Sequence, residues 1–195
     1  QGEAIIRAAK HVEDSDGVSV TPSIMIPLVS LPKELELIRV ACQAQLERTS
    51  AEVGFHRSIP FGTMIEVPSA IFHARQLARE CDFFNFGTND LTQTTLGMSR
   101  DDSGHFLPLY LDMGLLDEDP FQILHPVIQD QLQNAVRQGR KANAQLKVGL
   151  CGDHANSPSN MSFCVEHQFD YVSCSPYRVP VVRLASARAA LEEQG

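Results

Sequence analysis

The sequence has no basic cluster longer than Arg140-Lys141, and its 195 residues carry a formal charge of −8. That balance argues against nucleic acid or an anionic membrane surface as the main partner. A small anionic substrate stays open, because one metal ion inverts the local field. No apolar run approaches the roughly 20 residues of a membrane span, and no signal peptide is visible at the start. Cysteine is limited to Cys42, Cys81, Cys151, Cys164 and Cys174, an odd number without a disulfide framework. Reduced thiols in a cytoplasmic compartment are the expectation. There is no internal repeat and no low-complexity segment. The chain opens at Gln1 without an initiating Met. A piece of a longer protein is therefore expected, and a targeting segment further upstream is left open.

What is present is an alternation of strand and helix signals. Apolar, β-branched stretches at Ser23–Val29, Gly62–Val67, Asp82–Gly87, Lys147–Cys151 and Tyr171–Cys174 predict five strands. Helical patterns separate them. Gln1–Val12 predicts a helix entering from upstream. Another helix opens around Ser30-Leu31-Pro32, with Ser30 as its N-cap, and carries Leu35, Ile38, Cys42 and Leu46. Others open at Pro68, near Pro126, at Ser157-Pro158 and near Pro180. Short, uniformly apolar strands joined by helices predict a parallel α/β sheet buried on both faces. Five strand–helix units are too few for a closed eight-stranded barrel of about 250 residues. The sheet is either open or the last part of a larger barrel. Leu91–Leu124 is out of proportion for a connection, which marks it as functional or as an interaction surface.

Three of the strands stop at reactive groups. Gly62-Thr63-Met64-Ile65-Glu66-Val67-Pro68 ends in a carboxylate. Phe83-Phe84-Asn85-Phe86 runs into Gly87-Thr88-Asn89-Asp90. Lys147-Val148-Gly149-Leu150 runs into Cys151-Gly152-Asp153-His154. Carboxyl-terminal strand ends form the active-site rim of barrels built from alternating strands and helices. Glu66 and Asp90 supply hard oxygens, and Mg²⁺ is typically held by one or two carboxylates completed by water and substrate. Such an ion polarises a carbonyl and stabilises an enolate oxygen. Gly87-Thr88-Asn89-Asp90 offers successive backbone N–H groups to an anion, or else caps a helix starting at Leu91. Cys151, between Gly149 and Gly152, is either a small buried hydrophobe or a general acid or base beside the metal. Cys151-x-x-His154 is half of a zinc pattern with no matching second pair. Cys164 and Cys174 read as core residues.

These stretches, with Leu91-Thr92-Gln93 and Tyr171-Val172-Ser173-Cys174-Ser175-Pro176, resemble the C-terminal domain of the phosphoenolpyruvate-utilising enzymes, from Ile24 to about Ala189. The resemblance implies a (β/α)8 TIM barrel of which residues 1–195 hold the last five strand–helix units. It implies Mg²⁺ on Glu66 and Asp90. It implies phosphoenolpyruvate or pyruvate against Glu66, Gly87, Thr88, Asn89 and Asp90, and Cys151 as proton donor to the enolate. The implied chemistry is phosphoryl transfer between a phosphohistidine and pyruvate enolate.

Ser99-Arg100-Asp101-Asp102, Asp119-Pro120-Phe121 and Ser175-Pro176-Tyr177-Arg178-Val179-Pro180 point to the branch that converts ATP, phosphate and pyruvate into AMP, diphosphate and phosphoenolpyruvate. That branch implies nucleotide-binding and phosphohistidine domains elsewhere in a homodimeric enzyme. The phosphoenolpyruvate synthase and sugar-phosphotransferase enzyme I branches are alternatives, as is a Mg²⁺-dependent lyase of the pyruvate aldolase kind. Two departures stand out. The family's substrate-binding arginines have no matching motif here, and the family's Gly-Glu-His-Gly-Gly after the cysteine reads Gly152-Asp153-His154-Ala155-Asn156.

Overall fold

The computed structural model describes residues 1–194. Five strands, β1 (Ile24–Ile26), β2 (Phe61–Ile65), β3 (Phe83–Gly87), β4 (Lys147–Cys151) and β5 (Tyr171–Val172), form one sheet in the order β1-β2-β3-β4-β5. Every neighbouring pair is parallel. Connections between parallel strands are right-handed. With a strand order that never reverses, they place the intervening helices on one face of the sheet. That is the winding of a barrel wall; a doubly wound sheet would reverse its order at a switch point. The five expected strand–helix units are present.

The helices are α1 (Gly2–Asp16), α2 (Pro32–Val53), α3 (Pro68–Leu77), α4 (Thr88–Leu96), α5 (Leu107–Asp112), α6 (Pro126–Ala142), α7 (Met161–Glu166) and α8 (Val179–Gln194). Alternate strand residues face them. Phe61, Ile65, Phe84, Phe86, Val148 and Leu150 share a core with Ile71 and Leu77 of α3 and Ile128 and Leu132 of α6. The intervening positions, Gly62, Met64, Asn85, Gly87, Gly149 and Cys151, line the opposite face of the sheet. That face is crowded: a Cβ on Gly149 would run into the ring of Tyr171.

Two carboxylates fasten the opposite end of the sheet. Asp82, just before β3, accepts a hydrogen bond from the Phe61 N–H, and Asp170, just before β5, accepts one from the Val148 N–H, both at 2.8 Å. Each clips the start of one strand to its neighbour.

Several boundaries depart from expectation. β1 and β5 are shorter than Ser23–Val29 and Tyr171–Cys174, because each is an edge strand with a single partner. Ser30 does not cap α2. Leu31 occupies the N-cap, and the Glu34 carboxylate accepts from the Ser30 and Leu31 N–H groups at 2.9 and 2.8 Å. The helix expected from Leu91 begins at Thr88, so Thr88, Asn89 and Asp90 form its first turn. Cys164 is buried as expected, whereas Cys174 is half-buried against the core.

Candidate active site

Strand register alone gathers the predicted residues. Ile65 is paired with Phe86, which sets Glu66 beside Gly87, and Gly87 is paired with Cys151. Glu66, Gly87 and Cys151 therefore stand in a row across the carboxyl ends of β2, β3 and β4. Thr88, Asn89 and Asp90 follow as the first turn of α4, so their free backbone N–H groups sit at the rim.

Glu66 is only 3 % exposed. Its Oε1 accepts a 2.7 Å hydrogen bond from the N–H of Leu28, a residue held at φ 53 just beyond β1. Burial pushes the Glu66 carboxyl above its usual range. The Leu28 N–H opposes that shift, while the charge and carboxyl contact of Asp90 add to it. Two carboxyls thus crowd one spot. Asp90 itself is exposed and accepts from Gln93 Nε2 at 3.1 Å. Two carboxylates at one spot are a donor set that would suit a divalent oxygen-seeking ion. Among the described residues no cluster of three or more His, Cys, Asp or Glu side chains forms a closed metal cage.

Cys151 is half-buried, with its Sγ 3.4 Å from the Phe86 carbonyl. Burial, then the Glu66 charge, pushes its thiol up to about 11, against a hydrogen bond from Asn85 that works the other way. At neutral pH the sulfur is therefore protonated. Asn89 turns its Oδ1 to the Asp153 N–H at 2.9 Å, which leaves its amide nitrogen as the free donor. The Thr88 hydroxyl donates to the Cys151 carbonyl at 2.8 Å.

The turn after Cys151 is shaped by Gly152 and His154. Gly152 has φ 91, and a Cβ there would lie 2.8 Å from both the Asn89 Oδ1 and the Thr88 Oγ1, so the glycine is required twice over. His154 is fully buried, with Nδ1 2.8 Å from Thr88 Oγ1 and Nε2 2.8 Å from the Pro120 carbonyl. Both ring nitrogens are occupied by protein, which closes the zinc-type reading of Cys151-x-x-His154.

Besides the role of His154, sequence reasoning left one group unplaced, Arg100. Its guanidinium forms a 2.8 Å ion pair with Asp153, and its N–H donates to Gln93 Oε1 at 2.8 Å. The long connection thereby brings a cation to a rim that carries Glu66 and Asp90. Ser99-Arg100-Asp101-Asp102 was visible as a motif, but its distance from the strand ends in sequence concealed its place.

The comparisons with known proteins concern the chain as a whole. The family described as PEP-utilising enzyme, PEP-binding domain, matches residues 1–191. The chain is 47 % identical over 192 residues to the chloroplastic pyruvate, phosphate dikinase 1 of Arabidopsis thaliana, covering 98 % of this chain and 20 % of that protein. It is 44 % identical over 195 residues to the pyruvate, phosphate dikinase of Clostridium symbiosum, covering 100 % and 22 %. The dikinase of Rhizobium meliloti is 43 % identical over 192 residues, at 98 % and 21 %. The chain spans about a fifth of the length of these relatives. Among solved structures, a citrate lyase from Burkholderia xenovorans LB400 superposes with a TM-score of 0.55 at 15 % identity, covering 84 % of this chain and 48 % of that one. That likeness concerns the fold alone.

Proposed function

The chain belongs to the PEP-utilising enzymes, in the family of their PEP-binding domain, and we propose that it is the C-terminal part of the barrel in which a pyruvate, phosphate dikinase handles pyruvate and phosphoenolpyruvate. The observation that carries the reading is the in-register row Glu66–Gly87–Cys151 with the first turn of α4 beside it. The identities of 43–48 % with dikinases support this branch over the phosphoenolpyruvate synthase, enzyme I and aldolase-type alternatives.

In this reading Glu66 and Asp90 hold Mg²⁺. The ion supplies positive charge to the oxygens of a pyruvate enolate, whose stabilisation is the main demand of the chemistry. The α4 N-terminus, the Asn89 amide and the backbone of Gly87 and Thr88 orient the substrate carboxylate and phosphoryl oxygens. In the direction that consumes phosphoenolpyruvate, the phosphoryl group leaves the enol oxygen for a histidine on another domain. The Cys151 thiol then gives its proton to the methylene carbon, and pyruvate forms; the opposite direction returns that proton to sulfur. A thiol whose pKa is pushed up to about 11 is almost wholly protonated at neutral pH, which suits a proton donor.

ATP and phosphate chemistry is assigned to the parts of the full enzyme that lie outside the matched fifth of these relatives. A homodimer of the full enzyme belongs to the same proposal. Free thiols at all five cysteines support a reducing compartment such as the cytoplasm. Among the described residues no helix is long and apolar enough to cross a membrane.

Calorimetric titration of oxalate, an enolpyruvate mimic, into the chain tests the reading. Binding that requires Mg²⁺ and is lost in Glu66→Ala is expected. Binding indifferent to both, in a folded chain, would sink it.

A further inference from the structure

Asp119-Pro120-Phe121 lies about thirty residues from either neighbouring strand end, and nothing in the proposed chemistry uses it. Its structure gives it a place. Asp119 Oδ1 accepts from the Phe121 N–H at 2.8 Å, Phe121 is buried, and the Pro120 carbonyl is aimed at His154 Nε2. A carbonyl only accepts, so Nε2 carries a proton. Burial lowers the basicity of His154, against the opposing pull of the Pro120 carbonyl and of Asp153 and Asp119. In the neutral ring Nδ1 is then a bare acceptor, 2.8 Å from Thr88 Oγ1. The Thr88 hydroxyl has a single proton and two acceptors in reach, His154 Nδ1 and the Cys151 carbonyl. The imidazole and the Cys151 peptide therefore share one hydroxyl.

Asn160 holds the other side of the same junction. Its Oδ1 accepts from the Leu124 N–H at 3.0 Å, and its amide donates to the Gln122 and His154 carbonyls at 3.0 and 2.9 Å. The long connection is thus tied to the turn after Cys151 by buried groups as well as by the solvent-facing Arg100–Asp153 pair.

We propose that His154 is a positioning residue that divides its two nitrogens between two tasks: Nδ1 sets the Thr88 hydroxyl and through it the Cys151 peptide, while Nε2 anchors the Asp119–Leu124 segment by the Pro120 carbonyl. The proposal rests on the reading of Cys151 as the group that meets the substrate. Its test reads the sulfur directly, whatever the sulfur does in turnover.

Asn at position 154 places its amide near the Nδ1 position, and Gln places its amide near the Nε2 position. In this 195-residue chain, with folding checked by circular dichroism, the rate of Cys151 alkylation by iodoacetamide is read by mass spectrometry of its peptide. Thr88→Val is expected to alkylate about fivefold faster than the parent, the change that one lost hydrogen bond produces, and His154→Gln, which leaves the hydroxyl's one proton wholly to the Cys151 carbonyl, about threefold slower. His154→Asn is expected to stay within about twofold of the parent, while hydrogen exchange across Asp119–Leu124 speeds up in that variant and not in His154→Gln. Equal effects of Asn and Gln on Cys151, or no effect of either, would overturn the proposal and leave His154 as core filler. Should neither His154 variant fold, Thr88→Val decides alone, and an unchanged Cys151 rate overturns it.

Discussion

Gly87 and Glu66 occupy one space. A Cβ on Gly87 would stand 2.8 Å from the Glu66 Cβ and 2.7 Å from the Met64 Cε, and would run into the Glu66 carboxylate itself. The glycine at the end of β3 is therefore required by the carboxylate at the end of β2, not by a turn. Its φ is negative, so backbone freedom is not the reason.

Gly87→Ala is accordingly expected to displace the Glu66 carboxylate. Overpacking of this kind costs roughly 1–3 kcal/mol. Mg²⁺-dependent oxalate binding should be lost even where circular dichroism shows a folded chain. Gly104→Ala is the control, since a Cβ there meets nothing within 4 Å. Retained binding in Gly87→Ala would show that Glu66 is not the residue the ligand needs.

Cys151 alkylation should rise with pH toward a midpoint at about 11, because burial and the Glu66 charge favour the thiol. Glu66→Gln removes that charge and should move the midpoint down. A midpoint near the ordinary thiol value of about 8.5 in the parent would contradict the desolvated setting of the sulfur. In the full-length enzyme, Cys151→Ala is expected to keep oxalate binding and to lose exchange of the pyruvate methyl protons.

Asp170 ties β4 to β5. Burial works to raise its carboxyl, but the Val148 N–H and the Lys147 and Arg140 charges outweigh burial and hold it below the usual range. A depressed carboxyl contributes stability above its unfolded pKa, and that contribution is lost as pH falls through the folded value. Asp170→Asn should therefore lower stability by about 1–3 kcal/mol at pH 7, with parent and variant converging as pH falls below about 4. Urea melts at the two pH values measure this, and a gap independent of pH would assign the effect to packing.

Gly149→Ala should disturb the sheet face away from the helices, beneath Cys151, because its Cβ would enter the Tyr171 ring, with Tyr171 Cδ2 at 2.7 Å. The expected signature is a lower melting temperature and a shifted near-ultraviolet tyrosine signal. An unchanged spectrum would mean that the ring moves aside freely.

The sequence by itself determined the kind of architecture and most of the rim. Apolar strands ending in Glu66, Gly87 and Cys151, each followed by a helix, are local patterns, and strand polarity alone sends their ends to one side. It also marked the connection between β3 and α6 as exceptional by length. Three things were decided by tertiary structure. The winding into a barrel wall followed from an unreversed strand order, which no single segment encodes. The row Glu66–Gly87–Cys151 followed from inter-strand register, because only pairing says which residue stands beside which. Arg100 and His154 escaped because their partners, Asp153 for one and Thr88 and Pro120 for the other, lie 34 to 66 positions away or across the long connection. Charge and hydrogen-bond pairing at such separations leaves no periodicity to read. It arises when buried polar groups must find partners in the folded interior.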